Sequence, residues 1–462
     1  MLTRFEVSGF KNLNDVAVEF GPFTCVAGPN AVGKSNLFDA IRFLSGLADS
    51  TFTEVCAGVR SVEKGYSSNL GSLFPETVML GDERFRLAAE MIAPRKVVDD
   101  FGQVVSPARS YLRYELEFKI ERDSNGVSGN ARLRLENEKL QHVRIKERPF
   151  YFKAHPYLKK YLTGSTKSKD YMTLHSKEDR PYVSVPFEKS GRPRQIPIAD
   201  APRTILSSLA SAEYPTLLAA KTEMVSWRFM ALEPTAMRAP DERMETRPID
   251  AAGAHVPASL YRQSVADGNQ EVYRLLSNDV GELVDVKQLR VVEDNVRQTL
   301  ELRAQVGGAP ELPARSLSDG TLRFLTLAAM AYSPGYIGLL GMEEPENGIH
   351  PAKIRAMLDL LLRLSRPRNG CLSQVLINTH SPYLVQGVLE EGADKVLCAV
   401  AWRRQNKGGG ELVSTSFHPL QDTWRSERPG DSEEILRSQA PVSKSKLFAF
   451  LKSPSSWAEC ES

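Results

Sequence analysis

Two adjacent carboxylates, Glu343 and Glu344, close the apolar run in "GLLGMEEPENGIHP", residues 338–351. Ionised side chains are costly to desolvate and to crowd together, so a pair at the end of a buried strand implies positive charge between or beyond them. A second constellation suggests where that charge comes from. "GPNAVGKS", Gly28 to Ser35, fits G-x-x-x-x-G-K-[ST] and lies between the apolar "FTCVAG" and the amphipathic "KSNLFDAIRFLSGL". Glycines let backbone N–H groups curl round phosphates, and the N-terminus of the following helix adds its positive dipole end. In this pattern Lys34 reaches the β- and γ-phosphates of a nucleotide and the Ser35 hydroxyl ligates Mg²⁺.

Two further stretches carry polar groups at element boundaries. "SLSDGTLRFLTLAAMA" sets Ser318, Asp319, Gly320 and Thr321 before a helix whose apolar face includes Leu322, Leu325 and Ala329. Alone this is a good N-cap. "VLINTHSPYL" ends a third apolar strand in Thr379 and His380, which alone is an ordinary polar loop. Both gain interest from position, because strand ends are where open α/β sheets bind ligands.

The elements that must position these groups follow from periodicity. Residues 1–48 read as three strands and a helix with Leu37, Ile41, Leu44 and Leu47 at helical spacing. From about 84 to 140 "RFRLAAEMIA", "YLRYELEFKIE" and "ARLRLENEKL" read as antiparallel strands, the last two separated by "SNGVSGN". Residues 141 to about 200 are rich in Lys, Arg, Tyr and Pro with weak periodicity, and read as an insertion or lid. Helical patterns at 203–231 and 255–285 flank the linker "EPTAMRAPDERMETRP". Beyond Pro313 the expected order is helix 321–332, strand 336–342, helix 352–365, strand 374–378, helix 382–390 and strand 395–402. After it come a Gly-rich turn ("NKGGGE"), one more strand and a helix near 432–452. The expected organisation is an α/β domain split by a large insertion: 1–140 and 313–403 as its two halves, 141–312 as the insertion, 404–462 as a tail.

In order, P-loop, S-D-G-T, strand plus E-E-P-E and strand plus T-H resemble the ABC-type ATPases of the SMC/RecF-like branch. The resemblance is closest to compact bacterial "AAA family" ATPases related to the OLD proteins, without a Toprim nuclease domain. It rests on "GFKNL" (9–13), "GPNAVGKSN" (28–36), "LSDGTLRFL" (317–325), "EEPENGIHP" (343–351) and "NTHSP" (378–382). It implies a mixed α/β ATPase head with an antiparallel β subdomain, binding ATP and Mg²⁺ between two subunits. Asn30, Gly33, Lys34, Ser35 and Asn36 of one subunit would hold the nucleotide, and Ser318 with the Gly320 N–H of the other would close on the γ-phosphate. His380 matches the switch histidine, and His350 falls in the segment that crosses the dimer. The sequence departs from the family pattern in three places: Asp319 replaces the second signature glycine, "AV" replaces "GS" in the P-loop, and Glu343 stands where an aspartate precedes the catalytic glutamate. Glu343 is one methylene longer and still reaches Mg²⁺ through its water shell. Glu344 would orient and deprotonate the attacking water, while Glu346 has a structural or inter-subunit role.

The same resemblance implies an ATP-driven dimeric switch, a homodimer or higher homo-oligomer, that controls a separate effector protein in anti-phage defence. The alternatives are a RecF-like DNA-repair ATPase and an ATP-binding scaffold without turnover. With Ser318 284 positions after Lys34 and no long heptads, there is no room for a long coiled-coil arm. The segment 143–170 carries eight Lys/Arg interleaved with Phe150, Tyr151, Phe152, Tyr157 and Tyr161, a composition that suits DNA. It also suits a solvated insertion or a protein interface, and these are the favoured readings. A net charge of +2 gives no general attraction to nucleic acid or membrane. Five scattered cysteines without a C-x-x-C pair, no apolar signal core and no unbroken apolar run of bilayer length predict a cytoplasmic protein.

Overall fold

Apolar runs covered on both faces form a parallel sheet, because helices pack on either side of it. The computed structural model describes residues 1–59, 70–81, 83–122, 131–164, 169–177, 180–188, 191–332, 337–368, 370–405, 411–427 and 438–452. Numbering strands in chain order, β3 (Phe23–Ala27) and β18 (Val375–Thr379) bury every residue. They are neighbours in a six-stranded sheet with β12 (Trp227–Met230), β17 (Leu339–Glu343), β19 (Val396–Gln405) and β20 (Glu411–Pro419). The order is β12-β17-β18-β3-β19-β20, parallel except for the β19–β20 pair. The helix Lys34–Leu47 follows β3 and buries Leu37, Phe38, Ile41, Phe43, Leu44 and Leu47.

An eight-stranded antiparallel sheet lies beside it, in the order β11-β10-β9-β8-β7-β4-β1-β2. Its strands are β1 (Leu2–Ser8), β2 (Val16–Glu19), β4 (Phe85–Ile92), β7 (Tyr111–Arg122), β8 (Ala131–His142), β9 (Asp170–Lys177), β10 (Arg180–Val185) and β11 (Arg194–Pro197). Alternation is plain in β8, where Leu133, Leu135 and Leu140 are buried between more exposed neighbours. An aromatic cluster joins this sheet to the P-loop helix. Phe43 of the helix lies 5.5 Å from Phe85, Phe85 lies 5.6 Å from Phe118, and Phe10 of "GFKNL" lies 5.6 Å from Phe43.

The sheet runs past residue 141, and that changes the reading of the basic segment as a lid. Tyr151, Phe152 and Leu158 are buried in a second small core with Ile92, Tyr111, Val143 and Leu372. Tyr151 meets Trp424 edge-on at 5.2 Å, and Arg148 donates through Nε to Glu90 at 2.9 Å. Two of the five interleaved aromatics are thus core residues, closed to the stacking that was one reading of the segment, which its weak periodicity concealed. Lys167 and the turns "SNGVSGN" (124–130) and "NKGGG" (406–410) lie outside the described residues.

A third sheet was not legible in the sequence. β14 (Val286–Asp294) and β15 (Thr299–Val306) pair as a long hairpin, flanked by β13 (Asp241–Glu242) and β16 (Leu312–Pro313). Its turn carries no glycine; Gln298 takes the left-handed conformation at φ 54°, so the usual hairpin signal is missing. The remaining strands, β5 (Val97–Val98) and β6 (Val104–Val105), form a two-stranded hairpin. β12 lies inside the segment expected to be insertion, yet pairs with β17. β20 likewise lies in the expected tail and completes the parallel-sheet layer. The C-terminal helix spans Lys444–Lys452. Among the described residues no helix is long and apolar enough to cross a membrane.

Candidate functional site

Three parallel strands end along one edge: Thr379 of β18 pairs with Ala27 of β3, and Glu343 of β17 pairs with Asn378. The loop after β3 turns through Ala31 (φ 64°) and Gly33 (φ 97°) into the helix that starts at Lys34. A Cβ on Gly33 would run into Thr415 Oγ1 and the Asn12 side chain, so only glycine fits. Lys34 is 6% exposed and its Nζ donates to the carbonyls of Gly28 (2.7 Å) and Pro29 (2.6 Å). Burial depresses its ammonium pKa, against the opposing charges of Glu344, Glu346 and Glu343.

The two adjacent glutamates face different partners. Glu343 ends its strand and accepts a short hydrogen bond from Ser35 Oγ on the P-loop helix, with Asn378 Nδ2 at 3.4 Å. The chain then takes a left-handed turn at Glu344, φ 45°. Its N–H donates to the Asn378 carbonyl at 3.0 Å. That turn keeps both side chains on the P-loop edge of the sheet, where both carboxylates act on Lys34, whereas a continuing strand would send them to opposite faces. Glu344 Oε1 meets His380 Nδ1 at 2.8 Å and Oε2 accepts from Asn347 Nδ2 at 2.7 Å. Burial pushes the Glu344 carboxyl up, but Asn347, His380 and Lys34 outweigh it, and the net pKa lies below the ordinary value.

Glu346 differs. It is 8% exposed, Oε1 accepts from Thr379 Oγ1, and Oε2 has no hydrogen-bond partner among the described residues. Burial raises its carboxyl pKa.

Outer contacts hold the loop. Asn36 Nδ2 donates to Asn12 Oδ1 at 2.7 Å, Lys11 pairs with Asp39 at 2.8 Å, and Thr415 Oγ1 on β20 donates to the Val32 carbonyl at 2.6 Å. Asn30 is exposed at the tip. Sequence reasoning quoted Asn12 and Asn378 within motifs but gave them no task. Thr415 had no local signal, since its partner is 383 positions away.

Ser318 caps the helix Asp319–Met330: its Oγ accepts from the Thr321 N–H at 3.2 Å and lies 2.8 Å from Thr321 Oγ1. Among the described residues neither Ser318 nor Gly320 hydrogen-bonds to the P-loop of its own chain. His350 caps the turn Pro351–Lys353. The structure gathers Lys34, Ser35, Glu343, Glu344 and His380 at the ends of β3, β17 and β18, and among the described residues Ser318 and Gly320 hydrogen-bond to none of them.

A family model described as "AAA domain, putative AbiEii toxin, Type IV TA system" matches residues 23–125 and 187–386, which hold the P-loop and both glutamates. The chain belongs to this AAA-domain family. No curated protein matches the AAA-domain chain in sequence. Among solved structures, an Smc head bound to the C-winged helix domain of ScpA is 14% identical, with TM-score 0.45, over 90% of this chain and 97% of that one. An SMC head domain from Thermotoga maritima is 13% identical, with TM-score 0.37, over 91% and 99%. An Smc head with an extended coiled coil, bound to a ScpA domain derived from Pyrococcus furiosus, is 12% identical, with TM-score 0.41, over 90% and 96%.

Proposed function

We propose that this AAA-domain protein binds ATP with Mg²⁺ on the β3 loop and hydrolyses it in a site completed by Ser318 and Gly320 of a second copy. The carrying observation is the division between the glutamates: Glu343 lies on Ser35, and Glu344 lies on His380. A hydroxyl beside a carboxylate is an oxygen donor set that suits a hard divalent cation, so Ser35 and Glu343 fit Mg²⁺. When bound, the ion neutralises charge on the β- and γ-phosphates. Lys34, whose Nζ donates to the Gly28 and Pro29 carbonyls, is placed to exchange them for phosphate oxygens. Glu344, held by His380 and Asn347, is a carboxylate placed to accept a proton from the attacking water, although the contacts that lower its pKa make it a weaker base than an ordinary glutamate. His380, whose Nδ1 meets Glu344 Oε1, orients that carboxylate. The Ser318 cap and the N–H groups of the helix it starts form an anion-binding end that a second copy would present.

Replacing Glu344 with Gln is expected to leave ATP binding intact, slow phosphate release by about 100-fold or more and accumulate a closed dimer. Replacing Glu343 with Gln instead weakens Mg²⁺-dependent ATP binding. Titration calorimetry with and without Mg²⁺, phosphate release and gel filtration separate the two. Identical behaviour of the variants removes the division of labour. A wild-type chain that dimerises on ATP without releasing phosphate supports the scaffold reading.

The wider role we assign is that of a cytoplasmic homo-oligomeric switch that controls a separate effector protein in phage defence. The family description, which includes a putative toxin of a toxin–antitoxin system, supports that setting. A DNA-repair role has less support, because Tyr151 and Phe152 are buried and Arg148 is paired with Glu90. Co-purification with neighbouring gene products, with and without Mg-ATP, tests the effector. DNA binding with a steep salt dependence by a chain that runs alone favours repair.

A further inference from the structure

Asp319 puts a carboxylate in the first turn of the helix that Ser318 caps, where the proposed second-copy contact needs a surface that attracts phosphate. A carboxylate stabilises that end of the helix but repels a phosphate brought to the same N–H groups. The structure pairs it. Arg238 Nη2 makes a short ion pair with Asp319 Oδ1 and donates to the Leu317 carbonyl at 3.1 Å. Arg238 ends the short helix Pro234–Arg238 in the Pro- and Arg-rich linker, a segment with no role in the site described above. One guanidinium thus neutralises the carboxylate and fixes the residue that leads into the cap. A Cβ on Gly320 would lie 3.9 Å from the Gly348 carbonyl, so this turn sits beside the one that follows Glu344. Both side chains of the pair are partly exposed, 29% and 52%. An exposed ion pair contributes little to stability, so folding alone does not account for it.

We infer that Arg238 is a positioning residue for ATP-bridged closure: it cancels the Asp319 charge so that a signature turn carrying a carboxylate can accept the γ-phosphate held by a second copy. The inference rests on the two-chain site proposed above and adds a residue to it. The departure at Asp319 is then a matched pair, with the lost glycine compensated by an arginine 81 positions upstream.

The test compares Arg238→Ala, Arg238→Lys, Asp319→Asn and the Arg238→Ala/Asp319→Asn double variant. Each is measured for thermal stability, for ATP affinity of the monomer, for hydrolysis and, in a Glu344→Gln background, for dimer formed with Mg-ATP. Arg238→Ala should keep its melting temperature and monomer affinity, and lose hydrolysis and dimer on the order of 100-fold, the scale of unit charges a few ångströms apart near a protein surface. Arg238→Lys keeps the charge and most of the activity. Asp319→Asn alone stays near wild type. The double variant recovers to within about 10-fold of wild type, because the charge that needed cancelling is gone. A role in loop folding alone gives no such recovery. Normal closure by Arg238→Ala, or a loss that Asp319→Asn leaves unrescued, overturns the inference. A Glu344→Gln chain that stays monomeric with Mg-ATP while Arg238 remains in place overturns the two-chain site, and the inference with it.

Discussion

Glu344 occupies a left-handed turn that side chains other than glycine rarely adopt, and Ala31 of the P-loop does the same at φ 64°. For Glu344 the conformation keeps the carboxylate on the site. Ala31 is exposed and makes no such contribution. A left-handed alanine costs about 1–2 kcal/mol, and glycine gives back about 0.4–1 kcal/mol through the freer unfolded chain. Ala31→Gly should therefore gain about 0.5 kcal/mol in urea unfolding and leave ATP affinity no worse. A loss of stability means that the loop conformation is held by something other than backbone preference. Glu346 yields a pH prediction. Its raised pKa means that the folded chain holds this proton more tightly than the unfolded chain. The associated stability is full below the ordinary carboxylate range and falls as pH rises through the folded value. Glu346→Gln, neutral throughout, escapes that fall. Its stability advantage over wild type should widen from pH 4 to pH 8 in nucleotide-free melts, and a constant difference contradicts the assignment.

Among the elements, β20 is the one whose importance is least obvious from its own residues. Thr415 on this strand donates to the Val32 carbonyl inside the P-loop, and its N–H donates to the Asn12 carbonyl at 2.9 Å. Thr415→Val keeps the shape and strands a buried carbonyl, at a cost of about 1–3 kcal/mol. The melting temperature should fall, and ATP should bind about 5-fold more weakly if half of that cost is felt in the loop. Unchanged affinity means that the loop is held by its helix alone. β9 to β11 extend the antiparallel sheet past residue 141, so cutting the chain there removes paired strands. The aromatic cluster of Phe10, Phe43, Phe85 and Phe118 ties that sheet to the P-loop helix.

At the scale of the whole molecule, the proposed mechanism takes Ser318 from a second copy, since among the described residues Ser318 makes no hydrogen bond to the P-loop of its own chain. Ser318→Arg should bind ATP as wild type does and fail to close or hydrolyse. Lys34→Ala should fail to bind. Neither hydrolyses alone, yet an equal mixture should recover about a quarter of wild-type activity, because half the dimers are mixed and each has one intact composite site. Phosphate release after mixing measures this, and no recovery contradicts a site shared between chains.

Much of the site was legible in the sequence because its chemistry is local. "GPNAVGKS" needs only a strand before it and a helix after it, and both are visible in periodicity. The strands ending in "EE" and "NT" could be identified as buried and parallel from their apolar runs. What separated Glu343 from Glu344 was not local. It required the left-handed turn and the strand registers that bring Ser35 beside one glutamate and His380 beside the other. Thr415, 383 positions from its partner, and Arg238, 81 from its own, left no trace in composition or spacing. The hairpin at 286–306 was hidden by a turn without glycine, and the basic segment looked solvated because its buried aromatics follow no period. Spacing along the chain reports residues that act within a turn or two of each other. Pairings across a sheet depend on how distant strands are ordered, and only the folded chain decides that.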